Sequence, residues 1–118
     1  MLIDEAPNVV SEEGFRLLLD EGYEAVVVCH SGLEKVGVQW AGRWTAWVSH
    51  AERPDRRLLV SSRGQLKPRE FKTTLGLIGF LRKMGFASAT IPFHEGARAV
   101  QDASARVAVP PSDDTMDG

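Results

Sequence analysis

The sequence contains very little cysteine and no long apolar run. Cys29 is the only cysteine, so no internal disulfide can form and a disulfide-stapled secreted fold is excluded. No apolar stretch approaches the roughly 18 residues of a membrane-spanning helix, and the first residues include the acidic Asp4 and Glu5 instead of the basic start and apolar stretch of a signal peptide. We therefore expect a soluble, cytoplasmic protein that does not contact the membrane and is stabilised by packing.

Common motifs of catalysis and cofactor binding are also missing. No glycine-rich phosphate loop occurs, and His30, His50 and His94 lack the close helical spacing of metal ligands. Cys29 and His30 are neighbours in a predicted strand, where adjacent side chains point to opposite faces, so they cannot pair as nucleophile and base. We expect neither a metal nor a small-molecule cofactor, and we predict that the chain is not an enzyme.

Charge is nearly balanced overall but unevenly distributed. The net charge is −2, yet residues 1–34 carry eight acidic residues against one basic residue, and residues 53–83 carry nine basic against two acidic residues. Such a basic segment can form a surface that binds polyanions. Alternatively, the acidic start of the chain folds over the basic middle and neutralises it, since a domain-wide basic excess is missing.

The first half of the chain predicts a short helix followed by strands. Ser11 is a good N-cap, and the apolar spacing after it predicts a helix over about residues 12–21. A β-branched run predicts a strand over 24–30, and alternation over 36–49 predicts a β-hairpin that turns near Gly42. Another strand is predicted over residues 57–61.

The second half predicts one well-buried helix and a tail. A helix over 74–84 begins after a threonine cap and ends at Gly85, and a last strand follows over 86–92. The predicted fold is therefore α+β: an antiparallel sheet of about four to five strands with one long helix packed on one face and a short N-terminal helix. We expect a single domain over residues 1–95 and a mobile C-terminal tail over 96–118.

All three tryptophans, Trp40, Trp44 and Trp47, lie in the predicted hairpin. Exposed indoles beside arginines can stack on nucleic-acid bases while the guanidinium groups contact phosphates. Packing in the core is the other interpretation, because alternation sends Trp44 and Trp47 to opposite faces of one strand. Trp44 is our candidate for a nucleic-acid contact.

Gly76 and Gly79 lie three residues apart in the predicted long helix. Glycine within a helix lowers helix stability by about 1 kcal/mol relative to alanine, so we expect glycine to have a structural role at these two positions. Close packing of the helix against the sheet is the interpretation we favour. Close approach of two helices from two subunits is the alternative, and it would make the chain a homodimer.

The segment from Trp47 to Phe86, including Leu58 to Gly64 and Pro68 to Thr73, resembles small accessory proteins of bacterial plasmids and integrative elements. The likeness is to partition-associated proteins of the ParC kind and covers about residues 24–97. The order of hairpin, strand and helix is also similar to the three-stranded DNA-reading sheets of AP2-like and integrase arm domains. Both resemblances imply a role in plasmid maintenance or regulation.

Two functions follow from these observations. The leading hypothesis is a non-enzymatic accessory protein of a mobile genetic element that binds a nucleic acid such as DNA through a basic sheet and loop surface. Its alternative is a protein-interaction module without nucleic-acid binding, either a homodimer or a partner of a larger plasmid-maintenance protein. The residues predicted to contact nucleic acid are Arg43, Trp44, Arg53, Arg56, Arg57, Arg63, Lys67, Arg69 and Lys72.

Overall fold

The computed structural model describes residues 8–61 and 67–106. The elements, in chain order, are β1 (Val9–Val10), α1 (Glu12–Asp20), β2 (Glu24–Val36), β3 (Gln39–His50), β4 (Arg53–Leu59), β5 (Phe71–Thr73), α2 (Thr74–Lys83), β6 (Arg98–Val100) and a 3₁₀ turn (Ala103–Ala105). The predicted α+β class is confirmed. Neither helix of these ranges has the length and apolarity that crossing a membrane requires.

The strands of the described ranges form one mixed sheet in the order β1-β4-β3-β2-β6, and β5 also pairs with β3. The pairs of β3 with β2, β4 and β5, and of β2 with β6, are antiparallel. β1 instead pairs with β4 in parallel, with Val9 opposite Leu58. The prediction of a wholly antiparallel sheet is wrong at this edge, because a two-residue strand carries no alternation that a sequence could reveal.

Helix α1 confirms the predicted N-terminal helix. The Ser11 side chain accepts a hydrogen bond from the backbone N–H of Gly14 at 3.1 Å, which satisfies one of the free donors at the helix start. Phe15 and Leu19 lie one turn apart and are both buried. The helix therefore packs on the sheet along this one stripe.

Strands β2 and β3 form a longer hairpin than the sequence predicted. Their pairing runs from Glu24 opposite Ser49 to Val36 opposite Gln39, and Gly37 in the turn has a positive φ of 64°. The prediction of a turn near Gly42 is wrong. A two-residue loop that starts with a left-handed glycine closes the hairpin with the twist that its strands require, so the chain turns at residues 37–38.

The hydrophobic core lies on one face of the sheet, and both helices cover it. The Phe15 ring of α1 meets the Phe80 ring of α2 edge-on, with centroids 5.3 Å apart. Phe80 also contacts Phe71 of β5. The alternate residues that β2 and β3 contribute to this core are Ala25, Val27, Cys29, Trp44, Ala46 and Val48.

Trp44 is the largest fully buried side chain. Its indole Nε1 donates a 2.9 Å hydrogen bond to the carbonyl oxygen of Pro92, so the polar end of the ring is satisfied within the protein. The ring lies over Gly42, where an added Cβ would be 2.9 Å from Trp44 Cη2 and 3.0 Å from the carbonyl oxygen of Ser31. Gly42 is therefore required by close approach and not by a turn.

Helix α2 begins at the predicted residue and ends one residue early. It has only ten residues, one more than α1, so the sheet carries two short helices instead of one long and one short helix. The Thr73 hydroxyl caps it by accepting from the backbone N–H of Gly76 at 3.0 Å. Gly76 and Gly79 are both exposed, and a Cβ at Gly79 would have no neighbour within 4 Å. The interpretation that these glycines pack against the sheet is wrong, because the buried residues of α2 are Leu77, Phe80 and Leu81.

The C-terminal strand lies at Arg98–Val100, and the prediction of a strand over 86–92 is wrong. β6 pairs with the exposed edge of β2. Gln101 follows β6 and is buried. Its side-chain amide is satisfied there, since it donates to the carbonyl oxygen of Thr90 and accepts from the Thr90 N–H, both at 2.8 Å. The sheet therefore extends past the predicted boundary at residue 95. Residues 107–118 of the predicted tail lie outside the described residues.

We expect Gly42→Ala to lower the free energy of unfolding by about 1–3 kcal/mol, because the new methyl group would press on the Trp44 indole and on backbone. Gly79→Ala is the matched control. It should raise the free energy of unfolding by about 0.5–1 kcal/mol, since alanine is the better helix former and the site is open. Urea unfolding measures both, and equal effects of the two substitutions would contradict this account of Gly42.

Candidate functional site

The second face of the sheet, which we call the open face, is covered by neither α1 nor α2. Residues that pair in register share a face, so the pairing defines three rows of side chains across it. The apolar row consists of Val9, Leu58, Trp47, Val26 and Val100. The charged row beside it consists of Arg56, Ser49 and Glu24, and the third row of Thr45, Val28 and Arg98.

The apolar row crosses five strands of the sheet. Trp47 of β3 lies at its centre, with Leu58 on one side and Val26 on the other. Val100 at the outer end is 51% exposed, Val9, Leu58 and Trp47 are half-buried, and Val26 is buried. An antiparallel sheet that presents one face to water usually carries polar side chains there, so this row is the unusual feature of the open face.

A pocket of about 230 Å³ lies on the open face beside Trp47. Its apolar walls are Val26, Val28 and the indole, and polar side chains surround them. Trp47 Nε1 donates to the Thr45 hydroxyl at 3.1 Å, and that oxygen lies 2.7 Å from His30 Nε2. An apolar cavity of about 150 Å³ can hold a benzene ring, so this pocket can admit an apolar or aromatic side chain.

Charged side chains of both signs border the apolar row. The Arg56 guanidinium carbon lies 5.7 Å from the centroid of a Trp47 ring, within the range of a cation–π contact. Arg98 lines the pocket, two strands away from β3. Glu24 occupies the same row as Arg56, on the opposite side of β3. The border of the open face is therefore mixed in charge.

A second group of charges lies where β5 meets β3. Arg43 Nη2 is 3.1 Å from Glu70 Oε2, and both side chains are partly exposed. The hydrogen bond from Arg43 is the main cause that lowers the pKa of Glu70. Burial, the second cause, acts in the opposite direction, and the positive charges nearby, chiefly that of Arg43, lower the pKa further. The same hydrogen bond raises the pKa of Arg43. Glu70 is thus an anion held among cations.

The structure does not support Trp44 as a nucleic-acid contact. Its ring is fully buried on the face that the helices cover, so no ligand can reach it in the folded protein. The alternation along β3 places Trp47 on the open face instead, as expected for two residues three apart in one strand. The prediction that these two tryptophans lie on opposite faces is confirmed.

The predicted cations do not form one continuous surface. Arg56 lies on the open face, and Arg43 and Lys72 lie near Glu70. Elsewhere, Arg53 stacks on the Tyr23 ring with its guanidinium carbon 5.6 Å from the centroid. The other predicted positions are as follows: Arg57 pairs in register with core residue Val48, Lys67 is exposed on the loop before β5, Arg69 contacts Glu12, and Arg63 lies outside the described residues.

The acidic N-terminal helix neutralises part of the basic segment. Glu12 of α1 lies 2.8 Å from Lys83 Nζ and 3.6 Å from Arg69 Nη1. Asp20, at the other end of α1, pairs with Arg106 at 2.7 Å. These contacts favour the alternative in which the chain's own carboxylates meet its bases. The predicted basic surface is interrupted because successive arginines lie on strands and loops that face different sides.

The side chains considered for catalysis are separated by the sheet. Cys29 is fully buried on the helix-covered face, where its Sγ donates to the carbonyl oxygen of Ser31 at 3.2 Å. His30 lies on the open face, as alternation predicted. No three histidine, cysteine, aspartate or glutamate side chains in residues 8–61 and 67–106 come together as metal ligands would.

Most residues of the open face are absent from the predicted contacts. Trp47 is not among those contacts, although alternation along the predicted strand places it on the face opposite Trp44. Val26 and Val28 lie in the strand predicted over residues 24–30, and their outward direction follows from the same alternation. Arg98 and Val100 were missed because they lie in a segment that was predicted to be a tail, and only the pairing of β6 with β2 brings them here.

No family model matches this chain, and neither a curated protein nor a solved structure is significantly similar to it. The resemblances to ParC-like accessory proteins and to DNA-reading three-stranded sheets stay predictions. The candidate site therefore has to be judged on its own geometry.

The Glu70 carboxyl should titrate below the ordinary range of glutamate, and Arg43→Gln should raise its pKa toward that range. Because the folded-state pKa is lowered, the pair stabilises the fold above the unfolded pKa, and this contribution is lost as the pH falls through the folded value. Carbon-detected NMR titration measures the pKa directly. Arg82→Gln, on the exposed side of α2, is the control, and an unchanged Glu70 pKa in Arg43→Gln would refute the assignment.

Proposed function

We propose that this chain is a protein-interaction module that docks on a protein partner through the open face. The observation that carries the proposal is the apolar row, five apolar side chains aligned across five strands with no described helix over them. The row is partly open to solvent, since Val100 is exposed and Trp47 half-buried, and apolar surface that is open to solvent and rimmed by polar residues is typical of interaction sites. A row of this length indicates that another apolar surface covers this face.

Trp47 is suited to be the centre of such an interface. Tryptophan and arginine are enriched among the residues that dominate binding energy, and they act best in pockets that exclude water. The indole is held by Thr45 and stacked by Arg56, so it loses little side-chain freedom on binding. The pocket beside it can receive an apolar side chain of the partner.

The leading hypothesis from the sequence, nucleic-acid binding, has weaker support. A polyanion is bound by cations that are not opposed by acids. On the open face, Arg56 shares its row with Glu24, and the nearby Arg43 is paired with Glu70. A protein surface with apolar residues and charges of both signs suits this border better than a phosphate backbone.

Photo-crosslinking in the cells that produce the protein tests the proposal. A benzophenone amino acid in place of Val100 should give covalent protein adducts on irradiation. The same amino acid in place of Leu17 is the matched control, since Leu17 is 55% and Val100 51% exposed but Leu17 lies on α1. Adding Trp47→Ala should reduce the Val100 adduct about tenfold or more, because truncating a central interface tryptophan costs about 2 kcal/mol or more.

Two results would overturn the proposal. One is a Val100 variant that gives no more protein adduct than the Leu17 variant. The other is a Val100 adduct that consists of nucleic acid alone, together with binding of the purified chain to labelled DNA that weakens by about 0.9 log units per log unit of salt for each phosphate contacted. The second result would restore the hypothesis that the chain binds DNA.

A further inference from the structure

We infer that the protein covering the open face is a second copy of this chain, related by a two-fold axis that runs along β3. This inference rests on the proposed function and names its partner. Such an axis lies between two sheets that pack face to face, and it exchanges β4 of one copy with β2 of the other. Homodimers with two-fold symmetry use one self-complementary patch on both copies, so the open face must match itself.

The charged row has this self-complementarity. Arg56 of β4 and Glu24 of β2 flank Ser49 of β3, each as its direct register partner. They therefore lie at equal distances from the axis and carry opposite charges. Rotation about β3 brings Arg56 of one copy over Glu24 of the second copy, and the same contact forms a second time. Both residues are exposed, and their side chains are long enough to meet across the gap of about 10 Å between packed sheets.

The apolar row is matched in the same way. Trp47 lies on β3, next to the axis, and its register partners are Leu58 of β4 and Val26 of β2. The rotation places Leu58 of one copy over Val26 of the other. Aligned sheets pack within about 30° of each other, which leaves these central contacts nearly in register. The pocket beside Trp47 is then available to the second indole.

The short outer strands favour this face-to-face arrangement. β1 has two residues and β6 three, so neither of these two strands offers the long row of free backbone groups that edge-to-edge pairing of two sheets would use. Nucleic acid fits the charged row less well, because Glu24 would repel phosphates in this row, which lies beside the row of Trp47. A second copy presents an arginine to that glutamate.

Sedimentation equilibrium of the purified full chain tests the inference. The wild type should approach twice the chain mass of 13.0 kDa as its concentration rises. Arg56→Glu alone and Glu24→Arg alone should each raise the dimer dissociation constant about tenfold or more, because each places like charges together twice in the dimer. The double variant with both substitutions should restore it to within about threefold of the wild type, since the pairs re-form with reversed sign.

Arg82→Glu, the same charge reversal on the exposed side of α2, is the control and should leave the dissociation constant unchanged. Circular dichroism of each variant separates loss of pairing from loss of folding. A chain that stays monomeric at all concentrations, or single reversals that the double variant does not rescue, would overturn the inference. A monomeric chain whose Val100 crosslinks to a different protein would overturn the homodimer and leave the proposed function standing, whereas absence of any protein adduct at Val100 would overturn both.

Discussion

The burial of Trp44 is the interaction on which both faces of the sheet depend. Its indole fills the space between the sheet and the covering helices, lies over Gly42 and donates to the carbonyl oxygen of Pro92. Because side chains alternate along a strand, burying Trp44 commits Ala46 and Val48 to the core and sends Trp47 outward. The open face is thus a direct consequence of how β3 is anchored.

The charges of the molecule separate into two groups with different roles. On the helix side, Glu12 of α1 meets Lys83 and Arg69, so part of the basic middle segment is used to hold the acidic helix in place. Each partly exposed pair of this kind adds little to the free energy of unfolding, about 0–1 kcal/mol, so the main effect of these pairs is on the sign of the surface charge. On the open face, Arg56 and Glu24 stay beside an apolar row, where they can select a partner by complementarity.

The sequence predicted the parts of the fold that local physics controls. The bounds of α1 and α2 follow from the threonine and serine caps and from apolar spacing, and the α+β class follows from the order of elements. The turn at Gly37 was missed because Gly42 offered a competing glycine, and only the close approach of the Trp44 ring and the Ser31 carbonyl oxygen explains that residue. β1, β5 and β6 have two or three residues, too few for a pattern, and they exist because longer strands leave edges to pair. The candidate site could not be predicted either, because its rows join residues that are distant in sequence and that only strand pairing brings together.

The solvent accessibility of Trp47 tests the central claim most directly. In a Trp40→Phe variant the remaining indoles are Trp44, which is fully buried, and Trp47, so acrylamide quenching of fluorescence reports Trp47. If the open face is an interface between copies of the chain, quenching will fall as the protein concentration is raised through the dimer dissociation constant. Quenching that stays constant over that range, in a sample whose mass doubles, would contradict the account, because the copies would then associate through another surface.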